Sequence, residues 1–295
     1  MNRTFFSLPL KKLLLASCTL SWIFVFTPMA YAAYNPPPDQ KTTTRRSDSG
    51  TTRTGSCGNI EGTPLTLLAP QTHIGQASSS YPTFAWFIPD SKSFKMVFRL
   101  FEDSPEGLKN WGEPIELDTK PGIMSYSLPQ DQPGLVVGNT YTWQVTIVCD
   151  PDSPAKNVVA ESKIKILPQP TSLAKEGLSP LDYAKESFWY SALEKALKSA
   201  PDSQLNETGF NLVQSLAEVE EERICSTLPE NFAKTNCSTL LDELVNLEEE
   251  QLCLALLEES SQTEEAQMER KCELIDTWEW LGTWRWIRNL QQIVS

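Results

Sequence analysis

Between Tyr141 and Ile147 apolar side chains take every second position, with Thr142, Gln144 and Thr146 between them. Alternation with a period of two puts Tyr141, Trp143, Val145 and Ile147 on one face of a strand, and that face must be buried against a second layer. The same grammar runs from Cys57 to about residue 167, where short β-branched and aromatic runs are bounded by Pro, Gly, Asp and Asn. It predicts strands at 65–69, 83–87, 94–102, 114–118, 123–128, 141–149 and 158–166. In the last of these Ile164 and Ile166 alternate with Lys163 and Lys165.

Seven strands in roughly 110 residues is the size of an immunoglobulin-like antiparallel β-sandwich, which is the expectation for residues 57–168. Leu135, Gly138 and Tyr141 stand immediately before the sixth strand. In such sandwiches a tyrosine corner occupies this place, its hydroxyl bonded to backbone a few residues upstream. The spacing resembles the Leu-Pro-Gly-x-x-Tyr turn of fibronectin type III domains. The topology also brings the start of the first strand and the end of the sixth to one end of the sandwich. Cys57 and Cys149 are therefore expected to pair.

After Pro168-Gln-Pro170 the period becomes helical. Ser179 as cap, Pro180 at the first helical position and Asp182 in the first turn start a helix. Its apolar stripe is Leu181, Ala184, Phe188, Ala192 and Ala196, and Pro201 stops it. Further helices are expected near 203–224, 238–259 and 263–291, about four in all. The fold class read from the sequence is therefore α+β in two parts, a sandwich followed by a helical region over 169–295. Cys225 with Cys237 is symmetric about the Pro229 turn, and Cys253 with Cys272 about the turn at 260–263. Those pairings are favoured among the three that four cysteines allow.

The N-terminus reads as an export signal over residues 1–32. Arg3, Lys11 and Lys12 precede an apolar run at 13–29, and Ala30-Tyr31-Ala32 offers a small-x-small cleavage site. Leu15-Ala16-Ser17-Cys18 imitates a lipoprotein box, but it lies too close to Lys12 for a normal apolar region, so a lipid anchor at Cys18 is not expected. No later stretch is apolar enough to span a bilayer. Cleavage after Ala32 would leave six of the seven cysteines, an even number that suits disulfides in a periplasmic or extracellular setting. Residues 33–56 are rich in Pro, Thr and Ser with almost no apolar groups, which predicts a disordered tether. The formal charge of the whole chain is −13, and losing residues 1–32 removes three basic and no acidic groups. A surface of that sign repels phosphate backbones, so no nucleic-acid partner is expected.

Several segments together resemble a family of secreted cyanobacterial proteins known as a domain of unknown function. They are Leu67-Leu-Ala-Pro70, Tyr81-Pro-Thr-Phe84-Ala-Trp86-Phe-Ile-Pro89, Pro121-Gly-Ile-Met-Ser-Tyr-Ser-Leu-Pro129, Tyr141-Thr-Trp143-Gln-Val145 with Cys149, and Phe188-Trp-Tyr-Ser-Ala-Leu193. The resemblance covers roughly residues 57–200. It implies an exported setting and a fold but no mechanism, and it does not extend to the Glu-rich tail after about residue 225.

Chemistry is sparse. His73 is the single histidine, it lacks a G-x-S-x-G elbow, and its place beside Gly75 in a turn predicts a structural or merely exposed side chain. Several-imidazole metal sites are excluded by count, and no CxxC spacing exists for zinc. No phosphate or dinucleotide loop is present, so no cofactor is expected. Glu220-Glu221-Glu222 and Glu248-Glu249-Glu250 read as solvated helix faces. Trp278, Trp280, Trp284 and Trp286 crowd the last helix without sharing one face, and an exposed pair among them would make a docking patch. The expected function is a non-catalytic binding or scaffolding module of the periplasm or cell envelope, with an unidentified protein or envelope component as partner. Its rivals are a carboxylate-dependent hydrolase of an envelope substrate and a carbohydrate or membrane-surface binder.

Overall fold

Pro70 has no N–H to give a sheet ladder, and it is where the first predicted strand ends and the chain changes sheets. A computed structural model describes residues 33–38, 57, 65–89, 92–202, 204–227, 237 and 278–294. Before Pro70, β1 (Thr66–Leu67) pairs antiparallel with β3 (Thr83–Ile88), which pairs in turn with β7 (Gly122–Ser127). After it, β2 (Gly75–Ala77) joins the other sheet and runs parallel to β9 (Val158–Ile166), Gly75 opposite Ile164. That sheet continues through β8 (Thr140–Val148) to β4 (Lys95–Ser104). β5 (Gly107–Asn110) and β6 (Ile115–Asp118) then pair with opposite halves of β4. The expected seven-stranded antiparallel sandwich is thus corrected. The described residues form nine strands in a three-stranded and a six-stranded sheet, one pair of them parallel. The two strands absent from the predicted set, β2 and β5, are short and lie between predicted runs, β2 after the crossing at Pro70 and β5 between β4 and β6.

The alternation of β8 does what the sequence requires of it. Tyr141, Trp143, Val145 and Ile147 are all buried, as are Met96, Phe98 and Leu100 on β4. Phe84, Phe98 and Trp143 form the aromatic centre, with Phe84 5.1 Å from each of the other two rings. At the start of β8 the Tyr141 hydroxyl accepts the Val136 N–H at 3.0 Å. Gly138 sits between them at φ +96, a left-handed conformation that favours glycine. Cys57 and Cys149 are bridged, with Cα atoms 5.0 Å apart.

The stripe predicted as one helix is two: α1 (Pro180–Lys185) and α2 (Trp189–Lys198). Asp182 holds the start of α1 by accepting from the backbone N–H and the hydroxyl of Ser179, at 2.8 and 2.7 Å. Between the helices Ser187 adopts φ 70. Phe188 N–H then reaches back to the Tyr183 carbonyl and Ser187 N–H to Ala184, the paired bonds of a Schellman turn. Next come α3 (Glu207–Thr227) and α4 (Trp278–Ile293), with Cys225 bridged to Cys237 at a Cα separation of 5.8 Å. The predicted helix at 238–259 and the Cys253–Cys272 pair lie outside the described residues.

The helices are not a separate part. Trp189 on α2 donates to the Leu68 carbonyl and Trp286 on α4 to Leu67, both at 2.9 Å, so two indoles cap successive carbonyls where β1 ends. Tyr190 on α2 reaches through to the sandwich core, where its hydroxyl accepts from Trp143 Nε1 at 2.7 Å. Sheet and helix side chains belong to one hydrophobic core. Among the described residues no helix is long and apolar enough to cross a membrane.

Candidate functional site

The crossing that starts at Pro70 takes residues 71–74 under the helices. Its buried backbone N–H groups have no strand partner there and must find another acceptor. Glu220 on α3 supplies it: Oε2 accepts from Thr72 N–H at 2.7 Å and from Gln71 N–H at 3.2 Å. The other carboxylate oxygen, Oε1, lies 2.9 Å from His73 Nδ1, an ion-pair distance without the alignment of a hydrogen bond. Both side chains are 0% exposed. A buried carboxylate is tolerable where it is paired and hydrogen-bonded in this way. Arg223, one turn further along α3, donates from Nε to Thr72 Oγ1 at 2.9 Å.

The far side of His73 is closed by Tyr34, whose hydroxyl is 2.7 Å from Nε2. With the proton on Nδ1, facing the carboxylate, Nε2 accepts from the phenol. The two rings stack, 5.7 Å apart at 17°, while Trp189 meets the Tyr34 ring edge-on at 5.1 Å. Burial pushes the Tyr34 phenol well above its ordinary range, and the negative charge of Glu220 adds to the shift. The backbone of the segment is held as well. Tyr34 N–H donates to Ser215 Oγ at 3.0 Å and Asn35 N–H to the Ala184 carbonyl at 3.1 Å. Asn35 Nδ2 donates to the Lys185 carbonyl, also at 3.1 Å. Those two carbonyls face outward because the Schellman turn ends α1 there.

Tyr34, His73 and Glu220 therefore form a relay in the order phenol, imidazole, carboxylate. Its first contact is a hydrogen bond and its second an ion pair, and the trio is closed to solvent: Tyr34 and Glu220 are 0% exposed and His73 is 2% exposed. As it stands, the relay fastens three remote parts of the chain: the N-terminal segment, the crossing loop and α3.

Two expectations change here, and a third is narrowed. Residues 33–38 belong to the stretch read as a disordered tether, yet Tyr34 and Pro37 are buried. A lone aromatic in a Pro-rich stretch was the only signal, because burial of this segment is provided by distant residues. For His73 the choice between a structural and a merely exposed side chain falls to the structural one, since it is buried and bonded to Tyr34. Glu220 is not on a solvated face, although Glu222 is. The useful signal for it was the stripe Val213, Leu216, Ala217, Ile224, which at helical spacing passes through position 220.

Leu135, Gly138 and Tyr141 lie together at the turn into β8, away from this network. The docking patch is corrected at Trp286, which is buried and bonded to Leu67. The side chains of Trp278, Trp280 and Trp284 lie outside the described residues. No group of three His, Cys, Asp or Glu side chains among the described residues is placed to hold a metal ion.

Among curated proteins, none matches the chain in sequence. Residues 48–224 match the family described as Domain of Unknown Function (DUF928), and the chain belongs to that family.

Proposed function

We propose that this member of the family is an exported, non-catalytic binding or scaffolding module of the bacterial periplasm or cell envelope, built on an immunoglobulin-like sandwich. The strand orders β1-β3-β7 and β2-β9-β8-β4 support the sandwich reading, since a first strand split between two sheets and a central β9-β8-β4 face suit that architecture. Resemblance of residues 57–200 to secreted cyanobacterial proteins supports the bacterial setting. Two formed disulfides support an oxidising compartment.

The observation that carries the reading is the burial of the Tyr34–His73–Glu220 relay. It is the one histidine-based constellation the chain can form, and it is spent on holding the fold rather than presented to a substrate. The burial of Trp286 counts against a tryptophan-based carbohydrate or membrane surface. The test is to purify the exported protein and measure sedimentation with isolated envelope alongside hydrolysis of peptidoglycan and envelope polysaccharide. Saturable binding without turnover is expected. Turnover that is lost on substitution of one carboxylate overturns the proposal.

A further inference from the structure

The N-terminal segment is seated as a ligand would be. Along Ala33-Tyr-Asn-Pro-Pro-Pro38, Tyr34 and Pro37 are buried, Ala33 and Pro36 half-buried, and Asn35 and Pro38 exposed. Burial at every third residue is the signature of an extended proline-type helix lying in a groove, and three successive prolines favour that conformation before any contact is made. Recognition of such segments elsewhere depends on an aromatic-lined groove and a few hydrogen bonds to the peptide. Both are present. His73 and Trp189 enclose the tyrosine ring, and successive backbone N–H groups donate to Ser215 and to the Ala184 carbonyl. The segment pairs with no strand and extends no helix, and eighteen residues separate Pro38 from the anchored Cys57. That connection reaches about 60 Å when extended, so the segment can leave its seat without disturbing the disulfide or the sheets.

We propose that this seat is a peptide-recognition groove for extended segments carrying tyrosine three residues before proline, occupied in cis by the chain's own residues 33–38. The inference rests on the binding-module reading and names its partner class: a Tyr-x-x-Pro segment of another envelope protein that displaces the resident one. The tyrosine supplies the ring between His73 and Trp189 and the hydroxyl for Nε2. The proline fills the second buried position, and the intervening residues need only be extended. Tethering places the resident segment at an effective concentration in the millimolar range, so a partner must compete against it.

The test uses the full mature chain carrying Tyr34→Ala and Pro37→Ala, titrated into a fluorescent peptide with the sequence of residues 33–38. Saturable binding is expected, at least about tenfold weaker to the wild-type chain, whose seat is filled, and lost when the peptide's tyrosine is replaced by alanine. A folded variant with both disulfides that binds no peptide, or binds the alanine peptide equally, overturns the inference. If that variant fails to fold, a wild-type chain with a protease site inserted between residues 39 and 56 takes its place. After cutting, its short fragment is expected to exchange for labelled peptide, and a fragment that never exchanges overturns the inference. Envelope sedimentation of the same proteins separates the two proposals. Binding to envelope without peptide recognition sinks the groove alone, whereas loss of both sinks the module as well.

Discussion

Glu220 accepts two backbone N–H groups and faces the imidazole of His73, so its carboxylate is the hub through which α3 holds the crossing loop. Removing it leaves two backbone donors without their acceptor and a buried imidazole without its ion-pair partner. Glu220→Ala is expected to cost about 3–5 kcal/mol in denaturant unfolding, the scale for breaking a buried charged network. Glu220→Gln keeps one acceptor oxygen and should cost clearly less, while Glu222→Ala on the same helix should stay within about 0.5 kcal/mol. Equal losses at positions 220 and 222 would show that the network contributes nothing. Tyr34 adds a pH signature. Its phenol is held above the ordinary range by burial and by the charge of Glu220, and burial raises Tyr190 too. A group whose folded pKa is raised contributes stability that is whole below its unfolded value, near pH 10, and is lost as pH rises beyond it. Unfolding free energy should therefore fall above about pH 10, and less steeply in Tyr34→Phe, with Tyr190 and, to a smaller degree, the half-buried Tyr126 contributing to the remainder. An unchanged alkaline slope in that variant would refute the assignment. Both roles were hidden from sequence reading for one reason: Glu220 and Tyr34 take their meaning from partners 147 and 39 residues away, and local composition labels them solvated.

At the scale of elements, the turn between α1 and α2 shows where periodicity stops being informative. Leu181, Ala184, Phe188, Ala192 and Ala196 keep a helical stripe straight through a break, because both helices bury the same side against the same core. What breaks the helix is Ser187 in the left-handed region, which carries no marker of the kind a glycine would give. That residue is also the opportunity for a test. A glycine removes the steric cost of the Cβ at such a C-terminal position, so Ser187→Gly should stabilise the protein by about 0.5–1 kcal/mol. The same bonds from Ser187 and Phe188 must persist, and thermal unfolding of the variant reads the gain. A loss of stability there would mean that the side chain, not the backbone turn, is what the position needs. The strands were more legible, since every apolar position of the β8 alternation is buried, although Thr142 and Thr146 are buried with them, the alternation at the end of β9 survives in its burial, and the run at 83–87 lies within β3. The crossing of β1 into β2 was not, although Pro70 marked its position. A proline says that a ladder stops; it does not say that the chain changes sheets.

For the whole molecule, the question is whether sandwich and helices are two cooperative units or one. Sequence favoured two, because the period changes cleanly after Pro170 and nothing in either half reveals which surface it covers. The contacts argue for one. Tyr190 hydrogen-bonds Trp143 inside the sandwich, and its ring lies 6.0 Å from Phe84. Trp189 and Trp286 donate to the buried Leu68 and Leu67 carbonyls at the end of β1. Gly75 on β2 leaves room for the Tyr190 ring, which a Cβ would meet at 2.6 Å. Each contact removes apolar surface or a polar group that neither half could bury alone, so loss of one half strands the other in water. Unfolding is therefore expected to be a single transition with disulfides intact. The loss of helix by far-ultraviolet dichroism should coincide with the change in tryptophan fluorescence, and the calorimetric and van't Hoff enthalpies should agree. A helical transition that runs ahead of the fluorescence change would restore the two-part reading. Tyr190→Phe sharpens the comparison. It removes the acceptor for the Trp143 indole and the donor to the Lys163 carbonyl while keeping the ring. In a one-unit molecule it should lower both signals' midpoints together, by an amount set by two lost buried hydrogen bonds, or about 2–3 kcal/mol. In a two-unit molecule the midpoints would separate instead, because the coupling through the sheet face would be the part that was lost.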